Sequence, residues 1–178
     1  YPKGHPYSWT TIGYIEDLDR VGVEDLKRFY MRWYGPNNAV LTVAGDVNTK
    51  DVLAYAEKYF GSIARGPAVK PQVVKPFKLD ANRYISYEDQ VRFPMLNMAY
   101  VTAPANTKDD AALDVLAQIL SGTQGSPMYK AFIETKKAVS ASAYQYTREL
   151  AGQFQFVIRA NSAGSLTETE KELRAVLA

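Results

Sequence analysis

Gln153-Phe154-Gln155-Phe156-Val157-Ile158-Arg159-Ala160 is the stretch that decides the fold. Phe154, Phe156 and Ile158 fall on one side of an extended chain and Gln153, Gln155 and Arg159 on the other, the two-residue period of a strand with one buried face. Val139–Thr147 alternates in the same way, and Leu150-Ala151-Gly152 supplies the turn between them, so a hairpin is expected. Leu96–Thr102 and Asn82–Glu88 also read as strands.

The segments around these strands carry a helical period. Thr107, Asp109 or Asp110 begins a helix with apolar Ala112, Leu113, Leu116, Ala117 and Leu120, ending near Gly122. Ser126-Pro127 opens another, with serine as N-cap and proline at the first helical position. Thr167-x-x-Glu170 has the spacing of a capping box for a last helix, Thr167–Leu177. The expected class is α+β in two layers, helices packed on one face of a mostly antiparallel sheet.

The first part of the chain is organised separately. Residues 1–20 read as an extended lead-in. Val23, Leu26, Phe29, Tyr30 and Trp33 then recur at helical spacing until Gly35-Pro36-Asn37-Asn38 stops the pattern. Ala39–Ala44 is a short apolar run that reads as a buried strand, and Asn48 or Thr49 caps a second helix running to Gly61. A helix–strand–helix block makes no sheet by itself, so that strand is expected to need partners from outside these residues. From Ala64 to Lys78 the helical period is lost, and Pro67, Pro71 and Pro76 alternate with Arg65, Lys70, Lys75 and Lys78. Proline fixes φ and removes an amide donor, so this is a semi-extended connector. The expected division is residues 1–63, a linker over 64–80, and residues 81–178.

Composition narrows the function. With 178 residues and 47% hydrophobic content the chain can bury a core. The net charge of +2, from 21 basic and 19 acidic residues, makes no electrostatic case for nucleic acid or an anionic membrane. No apolar run approaches the ~20 residues of a membrane helix. There is no cysteine and one histidine, His5. A catalytic zinc site takes about three protein ligands and an open position for water, and the usual two-histidine sets cannot be assembled. Tyr1-Pro2-Lys3-Gly4 shows neither an initiator methionine nor a signal sequence, and the last helical pattern still runs at Ala178. A piece of a longer polypeptide is expected.

Four pieces carry a resemblance: Gly4-His5-Pro6-Tyr7 with Ile12-Gly13, Val23-Glu24-Asp25-Leu26-Lys27-Arg28-Phe29-Tyr30, the run from Tyr34-Gly35-Pro36-Asn37-Asn38 to Gly45-Asp46-Val47, and Glu57-Lys58-Tyr59-Phe60-Gly61. In order and spacing they resemble the M16 (insulinase, or pitrilysin) family of zinc peptidases. Asp110–Gly122 followed by Gly125-Ser126-Pro127-Met128-Tyr129 looks like the start of the next repeat of that family. The resemblance implies that residues 1–63 close one repeat and residues 81–178 open another, as in the family's C-terminal module. It also implies that the His-x-x-Glu-His helix and the distant glutamate of the family's zinc site precede Tyr1. The family's substrate-holding arginine and tyrosine align near Ile133 and Ser140, neither of which fits, and Pro127 replaces the usual arginine after Ser126. No catalytic, metal or substrate residue is therefore assigned.

Other signals favour plain readings. His5, between Gly4 and Pro6, is expected to pack or sit at the surface rather than bind metal. Glu16-Asp17-x-Asp19 lacks the glycine turn and distal glutamate of a calcium loop, and Glu24 and Asp25 serve a helix dipole. Gly122-x-x-Gly125-Ser126 lacks the Gly-Lys-Ser/Thr of a phosphate loop, and Ser126 reads as a cap rather than a nucleophile. Tyr144 and Tyr146, with Ser140 and Ser142, line one hairpin face; cross-strand packing is the expected role, with a peptide-binding sheet edge as the alternative.

The expected function is that of a fragment of an M16-type zinc-dependent peptidase. It helps form the chamber that encloses a peptide and itself lacks zinc ligands and the general base. The alternative is a non-catalytic M16-like partner or structural core subunit. No cofactor is expected in this chain, with zinc in the full-length parent if catalytic. Partners are the missing upstream repeat or a partner subunit and, in the parent, a peptide. The resemblance favours a bacterial extracytoplasmic, periplasmic location.

Overall fold

The computed structural model describes residues 1–70, 73–74, 78–161 and 164–178; Pro71, Lys75 and Pro76 of the expected connector lie outside them. The chain divides into two compact units, residues 1–75 and 76–178.

In the first unit, residues 1–20 are not extended throughout. They form a 3-10 turn at Pro6–Ser8 and a short helix, α1 (Ile15–Leu18). Helix α2 (Val23–Trp33) starts where the periodicity places it. The Gly22 amide donates to the Asp25 carboxylate at 3.0 Å, closing the first turn. That bond, followed by the charge of Arg28, holds the Asp25 carboxyl below the usual carboxylate range. The helix ends at Tyr34, and Pro36–Asn38 turn as a 3-10 segment. Asn37 ties this turn to the residues after the second helix, donating to the Pro67 carbonyl at 3.1 Å and accepting from the Gly66 amide at 2.7 Å. Helix α3 (Thr49–Phe60) is capped by Asn48, whose side chain accepts the Lys50 amide at 2.9 Å, and it ends at Gly61.

Ala39–Ala44 departs from the strand expectation. It pairs with nothing in a ladder among the described residues, and Val40 is 94% exposed. A strand is completed by a neighbour's hydrogen bonds, and apolar patterning alone cannot supply one. The apolar stripe of α2 is likewise open, with Leu26, Phe29 and Tyr30 all exposed.

The second unit holds an antiparallel sheet of β1 (Met95–Thr102), β2 (Ala138–Thr147) and β3 (Gly152–Ala160), in the order β1-β3-β2. Its register sets Leu96 and Ala141 beside Ile158, and Met98 and Ala143 beside Phe156. Helix α4 (Lys108–Ser121), a π-helical turn at Tyr129–Glu134 and helix α5 (Leu166–Val176) accompany it. The core joins Phe154, Phe156 and Ile158 to Ala117 and Leu120 of α4, Met128, Phe132 of the π turn and Leu173 of α5. Met128, Phe132, Ile158 and Leu173 are almost wholly enclosed, each worth about 1.5–3 kcal/mol of apolar burial. This is the expected two-layer α+β arrangement, with helices on one face of the sheet.

Three local expectations change. Asn82–Glu88 forms no strand, and Tyr84, Ile85 and Tyr87 stand exposed; the alternation is real, but no ladder receives it. Helix α5 begins after Ser165, so Thr167 lies inside the first turn and the capping box does not form. Glu170 instead pairs with Arg174 one turn on, at 2.7 Å. At Ser126 the carbonyl starts the helical turn by accepting the Lys130 amide, while the buried hydroxyl donates back to the Thr123 carbonyl instead of capping an amide.

Candidate functional site

His5 is the first residue to test for metal chemistry. Its side chain is buried and stacked on Tyr1, ring centroids 4.7 Å apart, and meets Tyr7 edge-on at 5.2 Å. Its Nδ1 accepts the Tyr7 amide at 3.0 Å and caps the 3-10 turn. A nitrogen engaged in this way is a structural acceptor, so His5 packs and does not lie at the surface. Among the described residues no three of His, Cys, Asp and Glu gather where they could hold a metal ion.

The acidic stretch is used locally. Asp17, on α1, pairs with Arg20, which also donates to the Glu16 carbonyl at 3.1 Å. In the glycine loop after α4 two amides turn inward: Gly122 donates to the Gln118 carbonyl at 2.8 Å and Ser126 to the Thr123 carbonyl at 3.1 Å. Neither amide is left to cradle a phosphate.

The sheet's second face has the greater chemical interest. Register places Asn97, Ala99 and Val101 of β1, Gln153, Gln155 and Val157 of β3, and Ser142, Tyr144 and Tyr146 of β2 on the side away from the buried phenylalanines. A polar chain crosses it. The Tyr144 hydroxyl donates to Gln155 Oε1 at 2.8 Å, and Gln155 Nε2 donates to Gln153 Oε1 at 2.7 Å. Arg148 donates to the Tyr146 hydroxyl at 2.9 Å. The expected cross-strand role of Tyr144 is thus met by Gln155. Of the two positions where the resemblance looked for substrate contacts, Ile133 packs against the core and Ser140 is exposed on this face.

One residue went unnoticed in the sequence. Ser121, in the last turn of α4, accepts the Ala143 amide at 2.8 Å and donates to the Ala143 carbonyl at 3.1 Å. Beside it, α4, the loop Thr123–Pro127 and β2 border an open groove of about 890 Å³. Nothing in Leu120-Ser121-Gly122 announces this contact, because its partner lies 22 positions away.

The fold defines a two-layer α+β module, with helices packed on an antiparallel sheet. The chain belongs to the family described as the peptidase M16 inactive domain, whose profile matches residues 20–178. It is similar to the zinc protease PqqE of Helicobacter pylori, 29% identical over 178 residues, which is 97% of this chain and 40% of PqqE. The crystal structure of a peptidase M16 inactive domain from Pseudomonas fluorescens superposes with a TM-score of 0.78 at 21% identity, over 98% of this chain and 42% of that one. The periplasmic protease PqqL of Escherichia coli shares the fold over 93% of this chain and 19% of its own, at a TM-score of 0.66 and 20% identity. The chain thus spans about two-fifths of the length of the PqqE protease it matches. No described helix is long and apolar enough to cross a membrane.

Proposed function

We propose that this chain is a non-hydrolytic part of an M16-type zinc peptidase, one that helps wall the chamber around a peptide while zinc and the general base belong to another part of the protein. The observation carrying this reading is the inactive-domain match across residues 20–178 in a chain with one histidine and no cysteine. In this reading residues 1–63 close a first repeat, 64–80 connect, and 81–178 open a second repeat. The exposed apolar residues of α2 and the Ala39–Ala44 run, which joins no ladder among the described residues, then meet the upstream repeat or a partner subunit. The polar face carrying Tyr144, Gln155 and Gln153 is the side offered to peptide, since hydrogen-bonding side chains grip a backbone without demanding a sequence. A location outside the cytoplasm takes its support from the periplasmic description of PqqL.

The test compares the full-length parent with the 178-residue chain in hydrolysis of a fluorogenic peptide, together with the sequence upstream of Tyr1. A parent with His-x-x-Glu-His that cleaves, beside a chain that does not, is the expected result. Cleavage by the chain alone would overturn the reading. A parent with a degenerate motif and no activity would favour the alternative, a non-catalytic partner or structural core subunit.

A further inference from the structure

Strand β2 lies at one edge of the three-stranded sheet. In an antiparallel edge strand, alternate residues turn both backbone groups away from the neighbour. Ala143 does so, because its amide and carbonyl both meet Ser121 instead of β3. The same alternation turns the backbone groups of Ala141 and Gln145 outward. An added strand running along Ala141 to Thr147 would have to pair with Ala143.

We propose that Ser121 is a lock on this edge, an autoinhibitory contact that keeps β2 from pairing with another extended backbone. A hydroxyl has one hydrogen and two lone pairs. Here Oγ takes the Ala143 amide at 2.8 Å and shares its hydrogen between the carbonyls of Ala143, at 3.1 Å, and Ala117, at 3.3 Å. Both groups that an incoming strand needs at Ala143 are therefore occupied from within the molecule. The lock is rigid, since Ser121 ends a helix whose Ala117 and Leu120 are anchored in the core. At the start of β2 the register shifts between Ala138 and Ser140, and such an irregularity also spoils an edge for pairing. Between bulge and lock only Ala141 turns its backbone groups outward, and the lock at Ala143 separates it from Gln145 and Thr147.

Amide exchange by NMR on the full 178-residue chain tests it, at a concentration where the protein is monomeric. The Ala143 amide is expected to exchange at least about tenfold more slowly than that of Gln145, which faces the same edge. Ser121→Ala should bring the two rates together and increase self-association in sedimentation, and Ser121→Thr should restore both. The Tyr144 amide, turned toward β3, reports whether the alanine variant has kept its sheet. If that variant fails to fold, the comparison of Ala143 with Gln145 in the unsubstituted chain decides alone. Equal exchange there, or a folded Ser121→Ala variant with Ala143 still protected and no added self-association, would overturn the proposal.

Discussion

His5 Nδ1 accepts the backbone amide of Tyr7 at 3.0 Å while its ring stacks on Tyr1, so the histidine of this peptidase-family chain is spent on holding a turn. Zinc titration followed by calorimetry should therefore show no tight stoichiometric site. His5→Ala should leave that result unchanged and lower the stability of the first unit by about 1–2 kcal/mol, read from Trp9 and Trp33 fluorescence in urea. A tight site abolished by His5→Ala would contradict the packing role.

Asp25 gives a pH prediction with a definite sign. Its carboxyl is held low first by the Gly22 amide and then by Arg28. A depressed folded value means that the contribution is present above the unfolded carboxylate pKa and is lost as pH falls through the folded one. A carbon-detected NMR titration should place the Asp25 midpoint below that of an unstructured aspartate. Arg28→Gln should raise it only in part, since the amide bond remains.

Two glycines of the second unit should respond differently to alanine. At Gly152 a Cβ would lie 2.5 Å from the Ala103 carbonyl oxygen and 2.5 Å from Thr102 Oγ1, so the strand ends must shift. The expected cost is about 1–3 kcal/mol. At Gly125 the nearest atom is Thr123 Oγ1 at 3.7 Å, an ordinary contact, and the change should stay within about 0.5 kcal/mol. Urea unfolding followed by circular dichroism separates the two.

Limited digestion with a broad-specificity protease tests the proposed division. The first cuts are expected within residues 64–78, where the described residues form no helix or strand. Initial cutting inside Ala39–Ala44 would place the weak point within the first unit and refute a boundary at the connector.

Much of the fold was legible because it is local. The stripe from Val23 to Trp33 and the cap at Asn48 each involve residues within a few turns of one another, and α2 and α3 lie where those signals put them. Phe154, Phe156 and Ile158 announced a buried face, and that face is buried. At the start of α5 local reading failed: Thr167 and Glu170 have the capping-box spacing, yet the helix begins two residues earlier, where Thr169 can donate to the Ser165 carbonyl at 2.9 Å.

By itself the sequence determined the α+β class, the helices and the hairpin, together with the resemblance carried by the Tyr34–Val47 run; helical period and strand alternation are written in neighbouring side chains. Tertiary structure alone decided which extended segments become strands. Leu96–Thr102 found β3, whereas Asn82–Glu88 and Ala39–Ala44 found no ladder among the described residues. It alone brought Ser121 to the backbone of Ala143 and Tyr144 to Gln155. Alternation says which face of a strand is apolar, but a ladder needs a second backbone in register, and that neighbour is chosen by the packing of the whole unit.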